Sequence, residues 1–454
     1  MKINKSPWIH QLDKDRKIFI LDSDLNTDIS IVGAGIAGVS TAFFALKYTN
    51  QNVILIEQGK MAHGATGHNA GQVVDHFERP LEEMVKEFGF EKVKEALHDL
   101  QSGWSLIEEI YEDAGLDILF SRVQGVLGVS DLHQLLIILK NIEIQTLSGI
   151  NHSKLLVSEK SPFLGSIPKI FEKYYSISTE EQIKKHLESK DNEFYAVLIS
   201  KAGCMNSALF CQEVVSYLYK KYPNRFKLYE NTKINKVILK KNKALLDAVK
   251  YTINTSRVVL CTNGFENLDI INEGGLAINK WFHHLVGGTV GYMSGYLENL
   301  NKPAAAIGYY TPDIDPLHDE PYYYLTRRPH EYNDEKHNLV CLGGPEVNLK
   351  DRGEYIVDYE YSEEIQKDLD TFIQKVYDVS PNKKISYEFT WHGLMGYTPN
   401  RVRLIGFEPK NPVLLYNLGC NGIGIIPSVF GGRRISKILA GEKMRASIFD
   451  PKNH

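Results

Sequence analysis

A glycine triplet spaced G-x-G-x-x-G, set between a strand-like run and a helical run, constrains this chain more than any other feature. Asp28-Ile-Ser-Ile-Val32 reads as a buried strand, Gly33 to Gly38 as a turn, and Val39 to Tyr48 as a helix. Asn52-Val-Ile-Leu-Ile-Glu57 follows as a second buried strand. In such a unit the first glycine makes the turn, the second lets backbone approach a pyrophosphate, and the third packs helix on strand. The helix N-terminus adds unpaired N–H groups and partial positive charge. Glu57 ends the second strand, 19 residues past Gly38, where a carboxylate can take both hydroxyls of an adenosine ribose. One bound dinucleotide is the expectation, and the acid argues against a 2′-phosphate. Gly287-Gly-Thr-Val-Gly291 lacks a following helix and a ribose acid, so it offers no second site of this kind.

The rest of the chain reads around that unit. Leu81 to Ala114 carries apolar residues at helical spacing and should form two helices broken near Gly89. Phe226–Glu230 and Lys236–Leu239 look like hairpin strands. Arg257–Cys261, Tyr322–Thr326 and Asn338–Leu342 look like further strands, and Tyr361–Tyr377 like a helix. Val413–Asn417, a glycine-rich turn and a helix through Leu439 repeat the strand-turn-helix pattern at the far end. Ile29–Leu46 and Val413–Phe430 are each uncharged over 18 residues, the lower limit for a membrane span. Their clustered glycines, with Asn417, Asn421 and Pro427 in the second, suit turns and helix starts instead.

Charge and cysteines narrow the partners. Lys+Arg is 52 against Asp+Glu 56, a net charge of −4 that offers no reason to expect nucleic acid or an anionic membrane. The five cysteines are scattered without a C-x-x-C pair, which fits neither a disulfide framework nor a zinc site. His283-His284 lacks a third ligand, so no metal is expected. The first residues hold no apolar h-region. A soluble cytoplasmic protein is the expectation.

Three further stretches carry a family likeness. Gly64-Ala-Thr-Gly-His-Asn-Ala-Gly-Gln72 follows soon after the acidic strand. Trp391-His-Gly-Leu-Met-Gly-Tyr-Thr-Pro-Asn400 with Leu404-Ile-Gly406, and Leu418-Gly-Cys-Asn-Gly-Ile-Gly-Ile425, lie near the other end. Weaker echoes are Ala202–Asn206 and Val258–Gly264. In this order, over nearly the whole chain, they resemble the D-amino-acid oxidase-like superfamily of FAD-dependent oxidoreductases. The likeness is to amine oxidoreductases of the gamma-glutamylputrescine oxidase and glycine/sarcosine oxidase type.

The resemblance implies a mixed α/β (α+β) fold with a Rossmann-like FAD-binding domain built from 1–90, 200–275 and 385–454. It is interleaved with a substrate-binding domain, 91–199 and 276–384, on a mostly antiparallel sheet. FAD contacts are implied for Gly33, Ala34, Gly35, Ile36, Ala37, Gly38, Glu57 and Gln58. The second motif adds Ala65, Thr66, His68, Asn69, Ala70, Gly71 and Gln72. Ile234, Gly264, Asn421, Gly422, Ile423, Gly424 and Ile425 complete the set. The closing helix could face the flavin N1/C2=O edge and stabilise negative charge on a reduced flavin. His68 replaces an arginine of many relatives. One dehydrogenase of the superfamily bonds FAD covalently through a histidine here, so a non-covalent contact and covalent attachment through His68 both stay open. Leu394 and Met395 stand where a flavin-bonding cysteine occurs elsewhere, and Asn400 and Arg403 replace the usual Asp and Pro.

The implied chemistry is oxidation of a C–N bond in a small amine or amino acid. Hydride passes to flavin N5, and the imine is hydrolysed. O₂ or another species would take the electrons. An amino-acid substrate calls for an arginine to hold its carboxylate, and Arg327 or Arg328 is the candidate. Tyr324 could wall the pocket, and His392 could tune proton transfer. Competing readings are a flavoenzyme oxidising a hydroxy acid at C–O, an NAD-dependent dehydrogenase, and a flavin-binding subunit serving a partner.

Overall fold

The computed structural model describes residues 4–150, 153–264, 268–278, 286–311, 322–349, 355–377 and 385–453. Leu25–Val32 and Val53–Ile56 pair in parallel, Val32 opposite Ile56, with the V-I-L-I strand buried along its whole length. Such unbroken burial is what a strand covered on both faces requires. Phe226–Tyr229 extends the parallel set beside Val53–Ile56, while Thr252–Leu260 and then Leu414–Leu418 extend it on the other side. Thr252–Leu260 forks: its first half pairs with Ala244–Asp247 and its last residues with Leu414–Leu418. Phe226–Tyr229 is therefore not hairpin material. The antiparallel partner of Lys236–Leu239 is Ala244–Asp247.

Two helices cover this nine-stranded sheet where the glycine turns lie. The fingerprint helix, Ile36–Tyr48, is buried on all sides through Leu46 and packs on the closing helix, Ile425–Leu439. Asn417, fully buried, donates from Nδ2 to Thr41 Oγ1 (3.3 Å) and to the Ser428 carbonyl (3.0 Å), tying both helices to one strand. Leu81–Phe88 and Phe90–Ala114 form the expected pair of helices, with Gly89 between them at φ +86°.

The second sheet has ten strands. Its order runs Phe389–Tyr397, Gly287–Glu298, Glu335–Asn348, Tyr322–Tyr332, Ala305–Tyr310, Phe120–Val129, Ala196–Met205, Lys154–Ser158 and Tyr175–Ser178. Gln72–Val73 lies beside Ala196–Met205. Pairing is antiparallel except between Ala305–Tyr310 and Phe120–Val129, and between the last two strands. Glu363–Val376 packs on one face, where Tyr323 stacks on Phe372 with ring centroids 4.0 Å apart. The two sheets exchange more material than the sequence division foresees. Helix Phe90–Ala114, from the substrate block, shares the core of the closing helix, and strand Phe389–Tyr397, from the FAD block, belongs to the second sheet. Among the described residues, no helix is long and apolar enough to cross a membrane.

Candidate active site

A single cavity of about 1120 Å³ has walls from both sheets. Its first end is the fingerprint turn. Gly33 holds φ +102°, where any side chain would be strained and a Cβ would meet the Cys261 carbonyl oxygen at 2.6 Å. The following helix starts at Gly35 without a side-chain cap, although Thr66 Oγ1 accepts from the Ile36 N–H at 3.0 Å. Glu57 points into the same end. Its carboxylate accepts from Ala34 N and Gly59 N, each at 3.0 Å, so the acid also closes the turn that carries it. Burial raises the Glu57 carboxyl above its ordinary pKa, and the N–H groups of Gly59 and Ala34 oppose that rise.

The middle of the wall is the Gly64–Gln72 loop. Asn69 organises it: Nδ2 donates to the Thr66 carbonyl and to Ser207 Oγ, and Oδ1 accepts from Gly71 N at 2.7 Å. Trp8 Nε1 donates to the Asn69 carbonyl at 2.6 Å, and Gln72 Nε2 donates to the Leu325 carbonyl at 3.0 Å. Through Gln72 the cofactor loop is fastened to the tyrosine strand of the second sheet. His68 is 8 % exposed, its Nδ1 lies 2.9 Å from the Gly64 carbonyl, and burial pulls its pKa down to about 4. At neutral pH it is an uncharged imidazole that donates from Nδ1 and keeps a lone pair on Nε2.

The far end is built by Gly419–Gly424 and the tyrosine strand. Gly422 holds φ +76° and its Cα abuts the Glu78 carboxylate, leaving no room for a Cβ. The closing helix, like the fingerprint helix, has no side-chain cap at its glycine. Arg403 braces the loop: it donates to Asn417 Oδ1 (2.8 Å), to the Asn417 carbonyl (3.1 Å) and to the Gly419 carbonyl (3.3 Å). Burial lowers its pKa to about 10. Asn400 Oδ1 accepts from Val402 N at 3.1 Å, so these two departures from the family pattern hold the turn and the loop together.

Most of the expected cofactor residues meet on this wall. Gly33, Gly35, Ile36, Ala37, Glu57, Gln58, Ala65, Thr66, His68, Asn69, Ala70, Gln72, Ile234, Gly422, Ile423, Gly424 and Ile425 all line it. Ala34, Gly38, Gly71, Gly264 and Asn421 stand behind it, Asn421 with Oδ1 accepting from Thr398 N at 2.8 Å. Tyr324 lines the cavity as expected.

The other two catalytic candidates do not. Arg327 points to the opposite face of its strand, is 2 % exposed, and grips Glu188 with Nη1 (2.7 Å) and Nη2 (2.5 Å). Strand alternation places Arg327 with Tyr323 and Leu325, away from Tyr324, so it cannot anchor a substrate carboxylate. Arg328 shares the face of Tyr324 but lies deeper and off the cavity wall. His392 is 1 % exposed and engaged by the Tyr359 carbonyl (2.9 Å) and Tyr355 Oη (3.2 Å), so it does not reach the cavity. His283 and His284 lie outside the described residues.

Sequence reasoning missed Tyr310, Tyr322, Tyr397, Glu78 and Glu346, all on the wall. Tyr322 had a signal, since it stands two residues from Tyr324 and must share its face. Nothing local announces Glu346 or Glu78.

Comparison with known proteins places this architecture. The FAD dependent oxidoreductase family model (DAO) matches residues 28–438. A probable oxidoreductase, OrdL, of Haemophilus influenzae is 24% identical over 106 residues, 23% of this chain and 24% of that protein. The gamma-glutamylputrescine oxidoreductase of Escherichia coli is 27% identical over 89 residues, 20% and 21% of the two chains. The matched segments thus span a quarter or less of these curated relatives. Among solved structures, glycine oxidase from Geobacillus kaustophilus superposes with a TM-score of 0.65 at 14% identity, over 94% of this chain and 99% of that one. L-proline dehydrogenase from P. horikoshii does so with a TM-score of 0.64 at 16% identity, over 95% and 98%. These likenesses establish a shared fold.

Proposed function

The chain belongs to the FAD dependent oxidoreductase family, and from that premise we propose that it oxidises the C–N bond of a small amine or amino acid. The observation that carries the reading is one continuous cavity into which two helix N-termini led by glycine open, at Gly35 and at Gly424, with Glu57 at one end and Tyr324 at the other. Helix N-termini favour anionic groups, which suits a pyrophosphate at the first and an electron-rich ring edge at the second. The residues present therefore fit FAD, which when bound supplies the hydride acceptor.

The chain's own part is positional. Glu57 takes the ribose hydroxyls, the Gly33–Gly38 turn admits the pyrophosphate, and the Gly64–Gln72 loop holds the ring system against the second sheet. The nine-stranded sheet is the dinucleotide domain and the ten-stranded sheet the substrate wall. Burial raises the pKa of Tyr322, Tyr324 and Tyr397 far above neutrality, so these hydroxyls orient a substrate as neutral donors and do not act as bases. His68 contacts the cofactor as a neutral imidazole without bonding it. The cysteines are unpaired, which suits a reducing cytoplasm.

The test is an anaerobic reduction screen of the purified yellow protein with amines, amino acids and hydroxy acids. Bleaching of the flavin band by an amine or amino acid supports the reading. Bleaching only by a hydroxy acid, or by none of them, overturns it. Acid precipitation should release the colour into the supernatant; a yellow pellet that turns colourless in His68→Ala would show that His68 is bonded to the flavin.

A further inference from the structure

Along strand Tyr322–Tyr332 one face carries Tyr322, Tyr324, Thr326, Arg328 and His330 in sequence, by the period-two rule of a strand. The first two tyrosines wall the cavity. The next three are buried behind it, where the Arg328 guanidinium lies over Trp8 and Trp8 meets Trp391 edge to face at 6.5 Å.

We propose that this place is a binding site for a small monovalent anion of halide type, with Arg328 as its cationic anchor. Arg328 is 4 % exposed, and among the described residues it makes no ion pair. Its Nε reaches only the neighbouring Pro329 carbonyl at 3.3 Å, its guanidinium lies over the Trp8 ring at 5.3 Å, and its Nη1 has no hydrogen-bond partner. An arginine keeps its charge at any physiological pH, so burial cannot be relieved by losing a proton. A buried charge persists when an opposite charge and full hydrogen bonding accompany it.

The unpartnered groups nearby are mostly donors, and neutral His330 adds one N–H and one lone pair. Thr326 Oγ1, Tyr111 Oη, Trp391 Nε1 and both ring nitrogens of His330 are buried and lack hydrogen-bond partners. Thr326 and Trp391 are wholly inaccessible, and His330 is 3 % exposed. Hydroxyls, an indole N–H and an imidazole N–H around a guanidinium form a lining that an anion satisfies and a cation does not. The nearby thiols cannot supply the missing charge, because burial pushes Cys204 up to about 12 and Cys341 higher still. The Trp8 ring over the guanidinium, backed edge-on by Trp391, favours a small, weakly hydrated anion over a carboxylate or an oxyanion. The site is distinct from the cavity, since none of Thr326, Arg328, His330, Tyr111 or Trp391 lines it.

The decisive experiment uses crystals of the FAD-loaded protein grown in sodium bromide, with anomalous data at the bromine edge. A bromide peak within hydrogen-bond distance of Arg328 Nη1 is expected. Its absence, in well-ordered density for Arg328, overturns the proposal. In solution, the thermal midpoint of the holoprotein should rise with the logarithm of bromide concentration at constant ionic strength, more steeply than with sulfate. The variant Arg328→Met should show no such dependence; equal slopes for wild type and variant overturn the site. If that variant does not fold, the wild-type bromide density alone decides.

Discussion

The two ends of the cavity are made in different ways. At the dinucleotide end the chemistry belongs to the backbone: glycine turns, helix N-termini, and one acid that hydrogen-bonds its own turn. At the tyrosine end it belongs to side chains drawn from strands and loops far apart in sequence, such as Glu78, Tyr310, Tyr324, Glu346 and Tyr397. A backbone device has to be written in consecutive residues, because its parts are the peptide groups of one turn. A side-chain wall carries no such demand. Tyr324 and Arg327, three residues apart on one strand, end up with unrelated roles because strand geometry sends them to opposite faces.

Acid should press hardest, since it strikes the cofactor loop and the second sheet together. His68 and His330 are buried, with pKa values pulled down to about 4 and about 3. A histidine held neutral in the fold binds its proton more readily when unfolded, so stability is full above the unfolded pKa near 6.5 and falls as pH drops below it. At pH 5 each should have lost roughly 2 kcal/mol of stability. Urea titrations at pH 7 and pH 5 check this, and His330→Phe should remove about half of the loss while leaving the part due to His68.

The next effect is confined to the dinucleotide end. In Gly38→Val the new side chain overlaps the Gly33 carbonyl and crowds Leu55. Overpacking of this kind costs about 3 kcal/mol, and if felt at the site it weakens FAD binding roughly 100-fold. The purified variant should be nearly colourless; a normal flavin content would mean that the turn does not hold the cofactor.

On the other sheet, Arg327→Met should reduce stability by about 2 kcal/mol, a value below that of a fully buried pair because Glu188 keeps contact with solvent. Its KM for any substrate should be unchanged. A tenfold rise in KM without a loss of stability would restore Arg327 as a substrate anchor and undo the contrast with Tyr324. Smallest is Thr66→Val, which removes the acceptor for Ile36 N and should cost about 1 kcal/mol, read as a modest rise in the FAD dissociation constant with KM for substrate unaffected.

Legibility followed the same divide. The turn at Gly33, the acid at Glu57, the break at Gly89 and the strand-turn-helix ending near Leu439 could be read because each rests on short-range periodicity or a required backbone angle. Phe226–Tyr229 was misread as hairpin material because a short alternating run does not state whether its partner is local; its partner is Val53–Ile56, far upstream. Arg327 and His392 looked available because each stands within three residues of a wall residue in sequence. One is held by Glu188 and the other by Tyr355 and Tyr359, and no local pattern encodes those pairings.

By itself, then, the sequence determined the glycine turn, the acid that closes it, the glycine-rich loops and the mixed α/β class, since local sterics and peptide hydrogen bonds specify these within a few residues. Tertiary structure alone decided which tyrosines and carboxylates face the cavity, which of two adjacent arginines is paired, and where Arg328 is enclosed. Those outcomes depend on the register between strands of distant segments, and a single residue of register exchanges one face for the other.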